Sequence, residues 1–405
     1  RDSQIQSMQD LVPVLSRSDG FAAVTAALRS GQSGTIDGAW GGSCALAAAS
    51  IATALDSVLL IVLPRLSEID EFTGDLASFL GTIPEIFPAW ETLPDEHDVA
   101  DTVFGGRLRV LSQLQHPGEN ESTPQVIVTS FPALLQPVPS RKQREAATRR
   151  IQVGDEIDTD AFMKWLLERG FERTTAIQLP GEFSMHGGIL DLYSPDSALP
   201  IRIEFFGDEV ESIRQFDVET QRTLETCQQV DLTLISPVPA SVSGRQLQTP
   251  NRDEDDTASE SLLDNLPPEA CIALVELPEL IDEGKRYLDR LENPRGLFSV
   301  PATMARCTDF PSVTIAPISA ESTEISCHLQ IESVERFTRS KSEMLEELAS
   351  IIGPQDTVLV CCHNQGEQDR LQELLDESEL DLSQRVKTCI GNLALGFRIV
   401  PEHLV

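Results

Sequence analysis

Basic residues are scarce in this chain of 405 residues, and so are tyrosines, of which it has two. Its 31 lysines and arginines face 65 aspartates and glutamates, which gives a formal net charge of −34. A protein that binds nucleic acid by itself usually presents a basic surface, because phosphate neutralisation supplies much of the affinity. Independent DNA binding is therefore not expected. The acidic surface suits association with basic protein partners, although a merely solvated surface explains the charge equally well.

Long apolar runs and paired cysteine motifs are also missing. Runs such as Val58–Leu63 are far too short to span a bilayer, and Arg1–Asp10 lacks the apolar core of a secretion signal. The eight cysteines are scattered and include no Cys-x-x-Cys pair. Cys361–His363 could form half of a metal site, but small residues that close a buried strand are the simpler explanation. We expect a cytoplasmic protein with reduced thiols, no metal site and no membrane contact.

The apolar pattern predicts an α/β protein of several domains. The length suits about three domains, and 40% apolar residues is ordinary for globular protein. Phe21–Leu28, Ala45–Leu55 and Glu68–Leu80 have helical patterns, whereas Val58–Leu63 and Gln125–Thr129 are typical of buried strands. Strands separated by helices of this length favour a parallel sheet.

The middle of the chain is richer in strands and predicts a small α+β unit. Asp158 is suited to cap a helix that ends at Gly170. Ile201–Phe206 alternates apolar and other residues, and Gly207–Asp208 supplies a turn after it. Gly187–Gly188 interrupts a strand pattern and predicts a bulge or the close approach of another backbone.

Two polar stretches separate the remaining segments. Ser241–Ser261 is rich in acidic residues and is expected to be a mobile acidic loop, and Ala316–Ser326 is expected to be a second linker. Apolar order resumes between them at Cys271–Leu277. The last part of the chain predicts a helix, a buried strand and a second helix, at Met344–Ile352, Thr357–Cys361 and Leu371–Leu375.

A glycine-rich loop, Gly38–Ala45, is similar to a phosphate-binding loop whose chemistry has been lost. The intact motif, Gly-x-x-x-x-Gly-Lys-Ser/Thr, holds phosphates with backbone amides and the lysine, and magnesium with the hydroxyl. Gly38 matches its first position, and Gly41 is an additional glycine. The last three positions of the motif are replaced, in order, by Ser43, Cys44 and Ala45. Taken alone, this loop is more simply a glycine-rich turn before a helix.

The second half of a nucleotide site would be an Asp-Glu pair at the end of an apolar strand. Ala273–Glu276 keeps one carboxylate but has Val275 where the magnesium-holding aspartate belongs, and an ordinary strand end explains it as well. Nucleotide hydrolysis is therefore not expected. No Gly-x-Ser-x-Gly nucleophile motif accompanies the six histidines, and no pair of carboxylates stands out, so no catalytic residue is predicted.

Two long strings, Gly181–Tyr193 and Arg202–Asp217, resemble a module shared by the excision-repair protein UvrB and the transcription-repair coupling factor (Mfd) family. Phe87–Pro94 resembles the coupling-factor version, and no tyrosine-rich hairpin of the UvrB kind follows it. The degenerate loop also looks like this family, whose N-terminal module is an ATPase-dead copy of UvrB. The resemblance runs from about Ile36 to the C-terminus and is weaker after Ser241.

The resemblance implies a fold and a division into domains. A degenerate RecA-like (P-loop NTPase-like) domain would comprise residues 1–139 and 235–318, the second part containing the acidic loop 241–261. A small α+β domain would be inserted at 140–234, and a small α/β domain would follow at 325–405. The inserted domain would bind the damage-recognition protein UvrA. Only regions absent from this chain would bind RNA polymerase, DNA, ATP and magnesium. The chain itself would hold no cofactor.

The resemblance also implies which residues face UvrA, namely Arg173, Glu182, Phe183, His186 and Asp191. The family usually has arginine before the glycine at 187, where this chain has His186. A planar donor fork is thus replaced by a smaller, titratable group, which implies a weaker or water-mediated contact.

Structural roles are the alternative for several side chains of this module. We expect Phe183, Phe205 and Phe206 to lie in the core rather than at an interface, since a small sheet domain needs aromatic residues. Arg202 and Arg214 could simply pair with Glu204 or Glu211 across a hairpin.

We interpret the chain as a non-catalytic adaptor that recruits UvrA to a stalled transcription complex. In the full family protein, a separate ATP-driven motor would move on DNA and displace RNA polymerase. Two alternatives remain open. One is a UvrB-type helicase or ATPase with an atypical loop, and the other is a structural clamp that holds the motor inactive.

Overall fold

The computed structural model describes residues 5–91, 101–115, 125–233, 235, 260–292, 294, 296–318, 325–334, 348–350, 352–353, 355–377 and 385–405. Several predicted segments therefore lie wholly or partly outside the described residues. These are the acidic loop at 241–259, the linker at 319–324, positions 344–347 and 351 of a predicted helix, and the end of the Phe87–Pro94 string.

The described strands are β1 (Gly34–Asp37), β2 (Leu59–Leu63), β3 (Glu85–Phe87), β4 (Val126–Ser130), β5 (Thr148–Gln152), β6 (Glu172–Arg173), β7 (Glu182–His186), β8 (Ile189–Leu192), β9 (Ile201–Phe206), β10 (Glu209–Phe216), β11 (Thr223–Cys227), β12 (Gln229–Thr233), β13 (Cys271–Val275), β14 (Ser312–Ala316), β15 (Ser326–His328), β16 (Ile331–Ser333), β17 (Val358–Cys362), β18 (Val386–Ile390) and β19 (Phe397–Ile399).

The described helices are α1 (Leu11–Leu15), α2 (Phe21–Arg29), α3 (Gly42–Ala54), α4 (Ile69–Leu80), α5 (Thr102–Gln115), α6 (Phe131–Leu135), α7 (Arg141–Ala147), α8 (Thr159–Glu168), α9 (Leu277–Arg290), α10 (Val300–Cys307) and α11 (Gln365–Glu377). Short 3-10 helices occur at Met8–Asp10, Leu66–Glu68, Leu262–Asn265 and Val400–Glu402. None of the helices in these described ranges combines the length and the apolar character that a membrane crossing requires.

A seven-stranded sheet, with the order β15-β1-β14-β13-β2-β4-β3, forms the centre of the structure. All its neighbouring strands run parallel. Every residue of β2, β4 and β13 is buried, as expected when both faces of a parallel sheet are covered. The prediction of an α/β protein with a parallel sheet is confirmed, and so are the predicted strands at Val58–Leu63 and Gln125–Thr129.

The chain leaves this sheet after β4 and returns to it at β13. Strand β13 lies between β2 and β14, although a second sheet lies between β4 and β13 in sequence. An antiparallel bridge between Val138 and Glu260 joins the outgoing and returning segments. The segment between them is thus tied at both ends to the same parallel sheet.

The second sheet has six strands in the order β11-β10-β9-β8-β7-β6. Its neighbours are antiparallel except for β6 and β7, which run parallel. Helix α8 packs its buried Phe162 and Leu166 into the core of this sheet. The predicted helix ends are confirmed, because the Asp158 side chain accepts a hydrogen bond from the Ala161 amide (2.9 Å) and Gly170 has a φ of +85°.

The predicted bulge at Gly187–Gly188 is not present. The pair forms the two-residue turn between β7 and β8 rather than a bulge, with φ values of +57° and +90° that favour glycine. The expected close approach of another backbone is present as well. The Phe205 amide donates to the Gly188 carbonyl (2.8 Å), and a Cβ on Gly188 would lie 3.1 Å from the Phe205 carbonyl oxygen.

Two smaller sheets complete the last part of the chain. Strands β17 and β18 pair in parallel, and α11 packs against them, which confirms the strand and helix predicted there. Strands β16 and β19 form an antiparallel pair. Buried residues of β19 and β18, Phe397 and Cys389, belong to the same apolar core as the central sheet.

Arg107 of α5 joins the backbone segments at the point where the chain leaves the central sheet. Its buried guanidinium donates to the Pro88 carbonyl (2.9 Å), the Gln136 carbonyl (3.0 Å) and the Pro137 carbonyl (3.2 Å). The same group lies 4.3 Å from the Phe87 ring centroid. Burial lowers the pKa of Arg107 to about 9, because carbonyls and rings only partly replace its lost hydration.

We expect Arg107→Ala to lower the free energy of unfolding by about 3–5 kcal/mol, because one buried and two partly buried carbonyls lose their donor and a cavity opens. Urea denaturation would measure the change. Arg109→Ala on the same helix is the matched control. Arg109 makes a partly exposed ion pair with Glu85 at 3.5 Å, and removing it should cost less than about 1 kcal/mol. Equal effects of the two substitutions would contradict this account of Arg107.

Candidate interaction surface and the glycine-rich loop

Strands β7 to β10 divide their side chains between two faces. Phe183 is paired with Leu192 and is buried against α8, whereas His186 is paired with Ile189 on the opposite side. Ile189 in turn lies opposite Glu204. We call this second side the outer face, and its residues are Ser184, which is buried, and His186, Ile189, Asp191, Arg202, Glu204, Phe206, Glu209, Ser212 and Arg214.

Ion pairs order the middle of the outer face. Arg202 donates from Nε and Nη2 to the two oxygens of Asp191 (2.7 and 2.8 Å), and these hydrogen bonds raise the pKa of Arg202. Arg214 pairs with Glu204, which also accepts a hydrogen bond from Ser212 (2.8 Å). The Ser212 bond and the nearby Arg214 lower the pKa of Glu204.

The pairing across the hairpins was only partly predicted. Arg214 does pair with Glu204, but the partner of Arg202 is Asp191 on β8 and not Glu204 or Glu211. Both carboxylate oxygens of Asp191 are occupied by Arg202. Asp191 therefore fixes the orientation of its neighbour on the outer face.

The predicted contact residues do not all share this face. His186 is exposed there, and its Nε2 lies 2.8 Å from the Thr175 carbonyl oxygen. Arg173 is exposed in the edge strand β6, where the register pairs it with Phe183 and so places it on the other side of the sheet. The structure brings His186 and Asp191 onto one face but leaves Arg173 at the edge.

Phe183 and Glu182 have structural roles in this arrangement. The Phe183 side chain is fully buried in the core, so a direct contact with a partner is corrected to a packing role. The Glu182 carboxylate accepts hydrogen bonds from the Gln178 amide (2.6 Å) and the Leu179 amide (2.9 Å). It closes the loop that leads into β7.

Phe206 is the residue of this surface that the sequence interpretation placed wrongly. It is 78% exposed rather than part of the core, and Ile189 on the same face is 38% exposed. Phe206 lies an even number of residues from Arg202 and Glu204 in β9. The alternation of side chains along a strand therefore predicts that all three lie on the same face. An aromatic side chain left in water at the end of a hairpin is a typical feature of a binding surface.

The glycine-rich loop lies between β1 and α3, at the carboxyl edge of the central sheet. The Ser43 hydroxyl accepts a hydrogen bond from the Trp40 amide and donates one to the Trp40 carbonyl, each at 2.7 Å. Burial raises the pKa of the Cys44 thiol to about 12, so the position that the motif gives to lysine carries no charge. Gly38 has a φ of +78°, and a Cβ there would collide with the Leu329 carbonyl oxygen.

The segment Gly391–Gly396, which we call the covering segment, packs directly on this loop. A Cβ on Gly41 would lie 2.8 Å from the Leu395 Cβ, and a Cβ on Gly42 would lie 2.5 Å from the Leu393 Cδ1. The loop glycines therefore make room for the protein's own chain at the start of α3. This is the space in which a phosphate-binding loop would hold its ligand.

Helix α4 holds the covering segment in place. The Ala394 amide donates to Asp75 Oδ1 (2.9 Å), and the Asn392 amide donates to Ser78 Oγ (2.7 Å). Asp75 is buried, and its other carboxylate oxygen would lie 3.4 Å from a Cβ on Gly42. Burial raises the pKa of Asp75 to about 7, and the Ala394 hydrogen bond opposes that shift.

Glu276 follows β13 at the same edge of the sheet. It adopts a left-handed backbone conformation with a φ of +53°, and burial followed by the nearby Glu68 and Glu279 raises its pKa. Arg65 bridges these neighbours, with 2.9 Å between Arg65 Nη2 and Glu279 Oε2. Within the described ranges, no group of three or more His, Cys, Asp or Glu side chains is arranged to hold a metal ion.

Comparison with known families defines the class of the second sheet. The family model described as the UvrB interaction domain matches residues 150–236. This stretch covers β6 to β12, α8 and the whole outer face. The segment is therefore similar to the UvrB interaction domain family.

The relatives of the chain are transcription-repair-coupling factors. It is 38% identical to that of Mycobacterium tuberculosis over 178 residues, 43% of this chain and 14% of the relative. It is 33% identical to that of Myxococcus xanthus over 219 residues (52% and 18%), and 29% identical to that of Bacillus subtilis over 228 residues (56% and 19%). The resemblance to this family is confirmed, although the matched region spans less than a fifth of each of these relatives.

Asp75 predicts a pH dependence of the covering segment. Because the folded-state pKa lies above that of the unfolded chain, the folded protein holds this proton more tightly, and ionisation costs stability progressively from about pH 4 to above pH 7. Asp75→Asn keeps an oxygen acceptor for Ala394 and removes that cost. We expect its gain in melting temperature to be large at about pH 8 and to shrink towards about pH 5.

Ser78→Ala is the control for this experiment, because it removes the other hydrogen bond to the covering segment without removing a titrating group. Its effect on the melting temperature should be the same at every pH. A gain for Asp75→Asn that does not change with pH would contradict the role given to Asp75.

Proposed function

We propose that this chain is the UvrA-recruiting part of a transcription-repair coupling factor and that UvrA binds the outer face. The observation that carries the proposal is the exposure of Phe206 beside Ile189 and His186, within a segment that matches the UvrB interaction domain. The family resemblance suggests the partner, and the exposure of these side chains supports the choice of surface.

The outer face has the composition of a protein interface. Phe206 and Ile189 offer apolar anchors, and aromatic anchors commonly carry much of the binding energy. The Asp191–Arg202 and Glu204–Arg214 pairs surround the anchors with charges that are already hydrogen-bonded within the sheet. Such a polar rim orients a partner without leaving a buried charge unpaired when water is excluded.

Arg173 extends the proposed surface around the edge of the sheet. Among the described residues, no carboxylate forms an ion pair with Arg173, so its guanidinium can pair with a carboxylate of UvrA. His186 contributes a smaller contact, because its Nε2 lies against the Thr175 carbonyl. Glu182, Phe183 and Asp191 support the surface from within.

The rest of the proposed adaptor follows the family. Residues 1–139 and 235–318 would form one degenerate RecA-like domain, 140–234 the UvrA-binding domain and 325–405 a separate α/β domain. The return of the chain to the central sheet at β13 supports the split first domain. We place the protein in the cytoplasm, with RNA polymerase, DNA, ATP and magnesium bound elsewhere in the complete coupling factor.

UvrA binding can be tested with the full chain and purified UvrA by biolayer interferometry. We expect Phe206→Ala to weaken binding at least about tenfold, as loss of an aromatic anchor does, and Arg173→Ala to weaken it less. The matched control is Leu167→Ala on α8, a side chain that is 53% exposed on the helix that packs against the opposite side of the sheet. Unchanged affinity for both Phe206→Ala and Arg173→Ala would rule out this surface.

Nucleotide binding distinguishes the adaptor from a UvrB-type ATPase. Leu393 and Leu395 occupy the space over the loop, and Cys44 supplies no charge for phosphates. We therefore expect no heat of binding when magnesium and an ATP analogue are titrated into the chain in a calorimeter. Micromolar affinity that requires magnesium would contradict the adaptor and favour the ATPase.

A further inference from the structure

Two cysteines lie side by side in the small parallel sheet of the last part of the chain. The register of β17 and β18 pairs Cys361 directly with Cys389. Directly paired residues of neighbouring strands lie on the same face of a sheet, and the strands are about 4.8 Å apart. Disulfides span Cα separations of about 4.4–6.8 Å, so the two backbones are already within bridging distance.

This pairing is specific within the described strands. Cys362, the neighbour of Cys361, is paired with Ile390 and points to the other face. Cys271 is paired with Leu59, and Cys327 with Ile36. No other register pair of the described sheets joins two cysteines.

The two thiols differ in character. The interaction between the two neighbouring thiols raises the pKa of Cys361 and lowers the pKa of Cys389. Burial opposes the lowering of the Cys389 pKa, and the nearby Met8 amide favours it. A lowered pKa favours the thiolate of Cys389, and the thiolate is the reactive form of cysteine.

A cavity opens beside one member of the pair. Cys361 is half-buried and lines a cavity of about 410 Å³, together with Met8, His363 and Leu393. Cys389 is 5% exposed. Hydrogen peroxide is small enough to enter a cavity of this volume.

We propose that Cys361 and Cys389 are a modification site at which hydrogen peroxide forms a reversible disulfide. The Cys389 thiolate attacks one peroxide oxygen, the O–O bond breaks, and a sulfenic acid forms while the departing hydroxide takes up a proton as water. The Cys361 sulfur then attacks the Cys389 sulfur. The S–S bond forms, the S–O bond breaks, and the second hydroxide leaves with the Cys361 proton as water.

Hydrogen peroxide accepts the two electrons. It is reduced to two waters, and the two thiols are oxidised to one disulfide. A thiol reductant reverses the bond by exchange. In the reducing cytoplasm the resting state is then the free dithiol, and the disulfide is a transient state, as is typical of intracellular redox sites. The site lies beside the covering segment, since a Cβ on Gly391 would be 3.2 Å from the Cys361 sulfur.

The test treats the full chain with hydrogen peroxide and measures the intact mass, with Cys362→Ser as the matched control. We expect the wild-type chain to lose two hydrogen atoms, and a thiol reductant to restore them. Cys362→Ser should behave like the wild type. Cys361→Ser should lose the cross-link and gain oxygen at Cys389, where a sulfenic-acid trap would label it.

Peptide mapping completes the test. Cleavage of the oxidised wild type should release one joined pair of peptides, which contain Cys361 and Cys389, within a single chain. The proposal is overturned if the wild type forms no intrachain cross-link, if the cross-link persists in Cys361→Ser, or if it disappears in Cys362→Ser.

Discussion

Strand β13 pairs with β2 on one side and with β14 on the other, and this non-local pairing is the constraint on which the rest of the structure depends. Because the strand is buried on both faces, its hydrogen bonds have no alternative partner in water. The chain must therefore leave the sheet after β4 and come back to it. The second sheet is built inside that excursion, and Arg107 fixes the point of exit with three backbone carbonyls.

Two surfaces of the molecule differ in whether the chain itself covers them. At the start of α3, the glycines of the loop leave a space that the covering segment fills, and Asp75 and Ser78 hold it there. On the outer face, the charges are satisfied within the sheet while Phe206 stays in water. The first surface is closed by the chain itself, whereas Phe206 on the second stays in contact with water, and for this reason the proposed adaptor role centres on the second sheet.

Much of the fold could be predicted from local pattern. The caps of α8, the buried strands β2 and β4 and the turn at Gly207–Asp208 depend on residues close in sequence. Phe206 could also have been placed correctly, because the period of two in β9 puts it beside Glu204. It was assigned to the core because its aromatic character was given more weight than its position in the alternating pattern of the strand. The partner of Arg202 could not be predicted, since the choice of Asp191 depends on the order of three strands.

The sequence by itself determined the class of the chain, the buried strands, the loss of lysine and hydroxyl from the glycine-rich loop, and the resemblance to the coupling factors. These follow from residue types and spacings within single segments. Only the tertiary structure decided that Leu393 and Leu395 fill that loop, that Arg173 and His186 lie on different faces, and that Cys361 meets Cys389. Each of these depends on strand register and on contacts between distant segments, which no local pattern specifies.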